Sequence, residues 1–212
     1  MTNLFATYLA TLVAATTPGR TIAAERLQTP ASDTAVFAGG CFWGIEGVFE
    51  HVRGVRTATA GYAGGTALSP SYEEVSTGST GHAESVRVVY DPTQVTYRQL
   101  LSVFFTVAQD PTERNRQGPD VGTQYRSIVF FRDTTQRREA EAYVAELTAA
   151  KVFKAPIVTE IDQLGPFYPA EAYHQHYMAL HPHALYIVFN DAPKVADLKR
   201  RFPALYVDPP AP

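Results

Sequence analysis

The sequence predicts an α+β fold: a mixed, mainly antiparallel sheet with packed helices, a two-layer sandwich related to the split βαβ arrangement of ferredoxin-like folds. Three observations predict it. Segments with a hydrophobic period of 2 and of 3.6 follow in the order strand, helix, strand, strand, helix, strand, helix, strand, so hairpin steps alternate with helical crossovers. Glycine, proline and Asp-Pro breakers separate those segments. Hydrophobic residues make up 45% of the 212, with 12 Phe, 12 Tyr and one Trp, and a chain of this length buries roughly 70% of its extended surface. That composition excludes global disorder, and a net charge of −3 supplies no basic field for nucleic acid or an anionic membrane.

Residues 1–32 read as an N-terminal arm, broken at Pro18-Gly19-Arg20 and Gln28-Thr29-Pro30. Within it, Leu4 to Ala15 is apolar and uncharged but at about a dozen residues too short to span a bilayer. Leu4, Phe5, Tyr8, Leu9, Leu12 and Val13 recur at helical spacing, so an amphipathic helix docked on the domain is expected. The alternative is a secretory signal, with small residues at Val13-Ala14-Ala15, against which no Lys or Arg precedes Arg20. The expectation is therefore a cytoplasmic protein without a membrane anchor, export being the alternative.

Residues 33–212 form the expected catalytic domain. Thr34 to Ala38 is the first strand, and a helix follows over Trp43 to His51 after the Gly39-Gly40 turn. Val55 to Tyr62 is a strand, and Ala63 to about Gly81 a polar loop of the length that carries function. Ser85 to Tyr90 alternates as a half-buried strand, Asp91-Pro92 ends it, and Thr96 caps the next helix. Asp110 to Gly122 is a second polar loop, Tyr125 to Phe131 a strand, Thr134 to Lys151 a helix, and Ile157 to Ile161 a strand. Beyond Pro166 the periodicity weakens into aromatic and His-rich turns before a last helix over Lys194 to Phe202.

Cys41 is the single cysteine, so no disulfide framework exists and any thiol chemistry rests on it alone. It follows two glycines and opens a helix, where amide groups and the helix dipole favour thiolate; against this, a lone cysteine is usually a buried, inert small hydrophobe. Phe42 and Trp43 are either core aromatics or the walls of an apolar substrate pocket. Glu46 is explained by the first helical turn or by support of the site. Glu84, between the long loop and a strand, is a solvated acid or, if it lies beside Cys41, a carboxyl whose proton is retained for donation. Tyr62 and Tyr125 flank glycine turns and could supply two hydroxyl donors; Asp120 lies in the loop before Tyr125. His174, His176, His181 and His183 invite a metal, but residues two apart on a helix do not face each other and no acid or thiol completes the set, so none is expected.

Five blocks then carry a resemblance: Gly39-Gly40-Cys41-Phe42-Trp43-Gly44, Gly61-Tyr62-Ala63-Gly64-Gly65, Gly81-His82-Ala83-Glu84, Asp120 through Ser127, and Phe167 through Gln175. In this order they resemble the A-type peptide methionine sulfoxide reductases over about 33–202. The resemblance implies that family's α+β sandwich, no bound cofactor, and reduction of the S epimer of methionine sulfoxide, free or in oxidised proteins and peptides. It implies Cys41 as nucleophile, Glu84 as acid, Tyr62 and Tyr125 as hydroxyl donors, Asp120 as a polar support, and Phe42 and Trp43 as the methyl pocket. The thiolate attacks sulfur, methionine departs, and Cys41 is left as a sulfenic acid. Many members resolve it with a second cysteine near the C-terminus; here there is none, so an external thiol, thioredoxin or glutathione with glutaredoxin, has to do so. Gln109 also stands where the family often has His. A monomer is expected. A cysteine hydrolase or acyl transferase would instead need His82 or His174 as base beside Cys41; a noncatalytic sulfoxide or aromatic-peptide binder is the third reading.

Overall fold

The frame of the molecule is a strand that the sequence places first and the sheet places in the middle. In the computed structural model, which describes residues 1, 32–68 and 70–209, β1 (Asp33–Ala38) pairs antiparallel with both β3 (Ala83–Tyr90) and β6 (Ile128–Phe131). Beyond β3 lie β2 (Val55–Ala63) and then β8 (Tyr168–Pro169), both antiparallel. Beyond β6 lies β7 (Glu160–Gln163), the one parallel neighbour. The sheet is therefore mixed and mainly antiparallel, as expected. The amphipathic helix and signal readings fall on residues 4–15, outside the described residues; no described helix is long and apolar enough to cross a membrane.

Strand alternation divides the side chains between two faces. Ala35, Phe37, Ala58, Ala60, Tyr62, Val86 and Val88 join the large core, while Val36, Ala38, Ala63, Ala83, Ile128 and Phe130 form a smaller one covered by Leu164 and Phe167. Against the large face pack α1 (Phe42–Glu50), α3 (Tyr97–Val103), the π-helical continuation over Phe104–Ala108, α4 (Thr134–Ala149) and α6 (Ala192–Arg201). Phe37 is the pivot, stacked on Phe49 at 5.2 Å and on Phe104 at 4.8 Å. Thr96 caps α3 in a capping box with Gln99, and Asp133 caps α4 through the amides of Thr135 and Gln136.

The polar loops hold more order than their composition announces. α2 (Tyr72–Ser76) starts in the first loop at a capping box between Ser71 and Glu74. The second holds a two-residue ribbon, β4 (Arg116–Gln117) against β5 (Asp120–Val121). Tyr125, expected to open a strand, instead ends a 3-10 turn over Thr123–Tyr125 that begins after Gly122 at φ 148°. The strand expected over Ile157 to Ile161 lies later, at Glu160–Gln163, because Val158 gives its amide to Pro111 outside the sheet. After β8 come a 3-10 turn over Ala172–His174, the short α5 (Tyr177–Leu180) and a π-helical turn over Ile187–Asp191.

Candidate active site

Cys41 sits at the N-cap of α1, where β1 ends and the chain reverses through Gly39 and Gly40. Gly40 has φ +94°, and a Cβ there would lie 2.6 Å from the Cβ of Gln117, so conformation and space both demand glycine. Gln117 in turn donates from Nε2 to Gln109 Oε1 at 3.2 Å. These two glutamines close over the turn that presents the sulfur.

Even-numbered positions of β2 and β3 face α1, which carries Tyr62 and Glu84 to the helix side as directly opposed residues. The amide of Phe42 then donates to Glu84 Oε2 at 3.0 Å. Glu84 is 2% exposed, and among the described residues no other hydrogen bond reaches its carboxyl. Burial, reinforced by the charges of Asp120 and Asp191 and opposed by the Phe42 amide, pushes its pKa up to about 8. At neutral pH this carboxyl is the reservoir of a proton.

Burial and the neighbouring Glu84 and Asp191 also push the Cys41 thiol well above its ordinary range, and the Trp43 amide offsets only part of this. The helix terminus thus does not yield a resting thiolate, contrary to the bare sequence argument: loss of water and adjacent carboxylates outweigh the dipole. The resting pair is thiol and carboxylic acid.

The expected hydroxyls differ from each other. Tyr62 donates to Glu171 Oε2 at 2.9 Å, while Glu171 Oε1 takes the Tyr72 amide at 2.9 Å, so this carboxylate ties β2 to the start of α2. Tyr125 feels Glu84, Asp120 and Cys41 electrostatically, and its hydroxyl has no partner among the described residues. Asp120 accepts a hydrogen bond from Tyr186. Phe42 is fully buried against Tyr62 and His174, at 5.9 and 5.0 Å. Trp43 is partly exposed, stacks on Tyr177 at 3.7 Å and meets Tyr186 edge-on at 5.9 Å.

Several members of the site escaped the sequence reading. Tyr186 joins Trp43 to Asp120 and, with Cys41 and Gln109, lines a pocket of about 340 Å³. Asp191 has no exposed surface, pairs with Lys194 at 3.1 Å and lies against Gly44, one helical turn from Cys41 on the same face of α1. Tyr72 stands 4.5 Å from the His174 ring. Only Glu171 had a signal, inside the last sequence block.

The histidines do not act on Cys41. His82 bonds the loop backbone through both ring nitrogens, to Gly65 N and Ala67 O. His174 Nδ1 accepts the Trp43 indole N–H at 3.1 Å, and burial lowers its pKa. Among the described residues no histidine hydrogen-bonds Cys41 or acts on it electrostatically, as a cysteine hydrolase would require. The four-histidine run does not converge, since His176 turns to Glu50 at 2.5 Å and His181 to the Tyr177 ring. Glu46, Glu50 and His176 do place ligand-type atoms within 4.8 Å of one another, but Glu46 already receives the amides of Ala60 and His176. That carboxylate braces α1 against β2 and holds His176 at φ +54°.

A family model described as peptide methionine sulfoxide reductase matches residues 33–205. The chain belongs to the peptide methionine sulfoxide reductase family. The reductase is 57% identical over 186 residues to peptide methionine sulfoxide reductase MsrA 2 of Mesorhizobium japonicum, covering 88% of this chain and 95% of that one. It is 50% identical over 169 residues to the MsrA of Natronomonas pharaonis, covering 80% and 94%. Among solved structures it resembles methionine sulfoxide reductase A of Corynebacterium diphtheriae, at a TM-score of 0.64 and 40% identity over 74% of this chain and 78% of that. The reduced form of Mxr1 from Saccharomyces cerevisiae gives 0.65 and 34% over 72% and 87%. The reductase is an oxidoreductase that reduces methionine sulfoxide and so repairs oxidised proteins.

Proposed function

We propose that Cys41 is the nucleophile toward the S epimer of methionine sulfoxide, free or protein-bound, and that Glu84 is its acid. The observation that carries this is the Phe42 amide on Glu84 Oε2, which ties a protonated carboxyl to the residue after the nucleophile. A sulfoxide sulfur becomes electrophilic as its oxygen takes a proton. A bound sulfoxide brings its positive sulfur to Cys41 and its negative oxygen to Glu84, favouring the thiolate that burial disfavours at rest. The thiolate bonds to sulfur as Glu84 protonates the oxygen. Oxygen passes to the Cys41 sulfur, the thioether leaves, and the thiol's proton ends on Glu84. Methionine is reduced by two electrons and Cys41 oxidised by two, to sulfenic acid.

Tyr125 donates to the sulfoxide oxygen directly, whereas Tyr62 joins only by exchanging Glu171 for that oxygen. Asp120, fixed by Tyr186, supports the polar side, and Phe42 and Trp43 receive the methyl group. With one cysteine in 212 residues, a thiol from outside forms a mixed disulfide with Cys41 and releases water, and a second thiol frees Cys41. Thioredoxin, or glutathione with glutaredoxin, fits this step, in a thiol-rich compartment such as the cytoplasm, with the protein acting as a monomer.

The test is turnover of separated S and R epimers of a methionine sulfoxide peptide with dithiothreitol, for wild type and Cys41→Ser. Loss of the S epimer alone, and none in the variant, is expected. Reaction of the R epimer, or an active variant, overturns the assignment.

A further inference from the structure

The pocket that reaches Cys41 carries three carboxylates, Asp110, Glu113 and Asp120, against one cation, Lys194. Two of these charges are matched nearby: Glu113 by Arg116 at 3.4 Å, and Lys194 by Asp191 at 3.1 Å. Asp110 and Asp120 have no ion pair among the described residues. Asp110 Oδ1 accepts the amide and hydroxyl of Thr112 at 2.9 and 2.7 Å, and Asp120 accepts the Tyr186 hydroxyl. The same wall holds Gln109, 8% exposed, whose Nε2 is buried without a partner. Two uncompensated carboxylates beside an unused amide donor make a mouth that suits a neutral hydrogen-bonding group and opposes an anion.

We infer that this pocket selects the regenerating thiol by charge, admitting carriers that are neutral or cationic apart from their sulfur ahead of anionic ones, with Asp110 and Asp120 as the selecting groups. The inference rests on the external-thiol reading above. In the step concerned, the thiolate sulfur bonds to Cys41 Sγ while the sulfur–oxygen bond of the sulfenic acid breaks, and the oxygen leaves as water with the proton of Glu84. Every attacking thiolate is negative, so the rest of the carrier decides how strongly the two carboxylates oppose its approach.

The experiment measures the second-order rate of regeneration at saturating S-sulfoxide peptide with 2-mercaptoethanol and with 2-mercaptoethanesulfonate. Each rate is divided by that thiol's rate with a small uncharged disulfide, which removes intrinsic nucleophilicity. At low salt the neutral thiol is expected to lead on the order of 3- to 10-fold, and the lead to collapse at 1 M salt, where the screening length is about 3 Å. Asp110→Asn keeps an acceptor for Thr112; it should narrow the lead at low salt while leaving single-turnover release of methionine unchanged. Equal rates, a faster anion, or a lead indifferent to both salt and Asp110→Asn overturn the inference. An enzyme that stops after one turnover with Cys41 oxidised, whatever small thiol is added, instead overturns the external-thiol reading and this inference with it.

Discussion

The backbone amide of Phe42 donates to Glu84 Oε2 at 3.0 Å across 42 positions of sequence, so one peptide unit fixes the proposed acid relative to the proposed nucleophile, Cys41. Glu84→Gln keeps a carbonyl for that amide and removes the proton. Proton transfer by a positioned acid is worth about 10²- to 10⁴-fold, and a loss of that size is expected in the single-turnover rate with S-sulfoxide. Stopped-flow or quenched-flow release of methionine checks it. A variant retaining a tenth of the rate would remove Glu84 from the chemistry.

The same carboxyl sets an alkaline limit. With its pKa raised to about 8, Glu84 holds its proton at neutral pH and loses it as pH passes 8, so the single-turnover rate should fall there. Ionisation of the Cys41 thiol, itself raised by burial, would push the rate the other way. A profile from pH 6 to 9.5 separates them: a rate that climbs throughout means that Glu84 does not act as the acid. The falling limb should be absent in Glu84→Gln.

Tyr62 and Tyr125 should not be equivalent. Tyr62 has its proton committed to Glu171, while the Tyr125 hydroxyl has no hydrogen-bond partner among the described residues and feels the charges of Glu84 and Asp120. Loss of one hydrogen bond of about 1.4 kcal/mol is tenfold. Tyr125→Phe should lower kcat roughly tenfold and Tyr62→Phe only a few-fold. The reverse order would show that Tyr62 exchanges partners on substrate binding.

Glu46 makes stability depend on pH. It is 1% exposed, and burial and the nearby Glu50 raise its pKa from 4.5 to about 7. A carboxyl that holds its proton more tightly folded than unfolded stabilises the fold fully below pH 4.5, and that contribution disappears as pH rises through 7. The shift corresponds to on the order of 3 kcal/mol. Glu84 titrates in an overlapping window, so the readout is the difference in unfolding free energy between wild type and Glu46→Gln across pH 4.5 to 8. A difference that does not change over this range would mean that Glu46 ionises normally.

The site was legible where a local signal sits on the functional residue. Gly39 and Gly40 mark the turn before Cys41, whereas Glu84, which the residues alone leave open between a solvated acid and a neighbour of Cys41, is assigned to the site only by the resemblance of the motif blocks. Tyr186, Asp191 and Lys194 were not legible. Tyr186 and Asp191 belong to a run of 3-10, α and π turns without steady periodicity, and Lys194 to the first turn of α6, the helix that follows it; what places them at Cys41 is the packing of these elements against α1. The shift of β7 has a similar cause: its residues are mostly exposed, so hydrophobicity points to Ile157–Ile161, while hydrogen bonding selects Glu160–Gln163.

Gly44 tests that packing directly. A Cβ there would collide with Asp191 Oδ1 and come within 2.8 Å of Lys194 Nζ. The Asp191 side chain has no exposed surface and one oxygen without a partner, so it cannot move aside without uncovering a charge or breaking its pair with Lys194. Alanine suits an α-helix better than glycine by about 1 kcal/mol, which by propensity alone would stabilise α1. Overpacking at this contact costs about 1–3 kcal/mol, and separating a buried ion pair adds to it. Gly44→Ala should therefore lower the unfolding free energy by about 2 kcal/mol or more and slow methionine release, because the first turn of α1 carries both Cys41 and the Phe42 amide. Denaturant unfolding and single-turnover kinetics measure both, and a variant as stable and as fast as wild type would show that Asp191 does not press on the helix that follows Cys41.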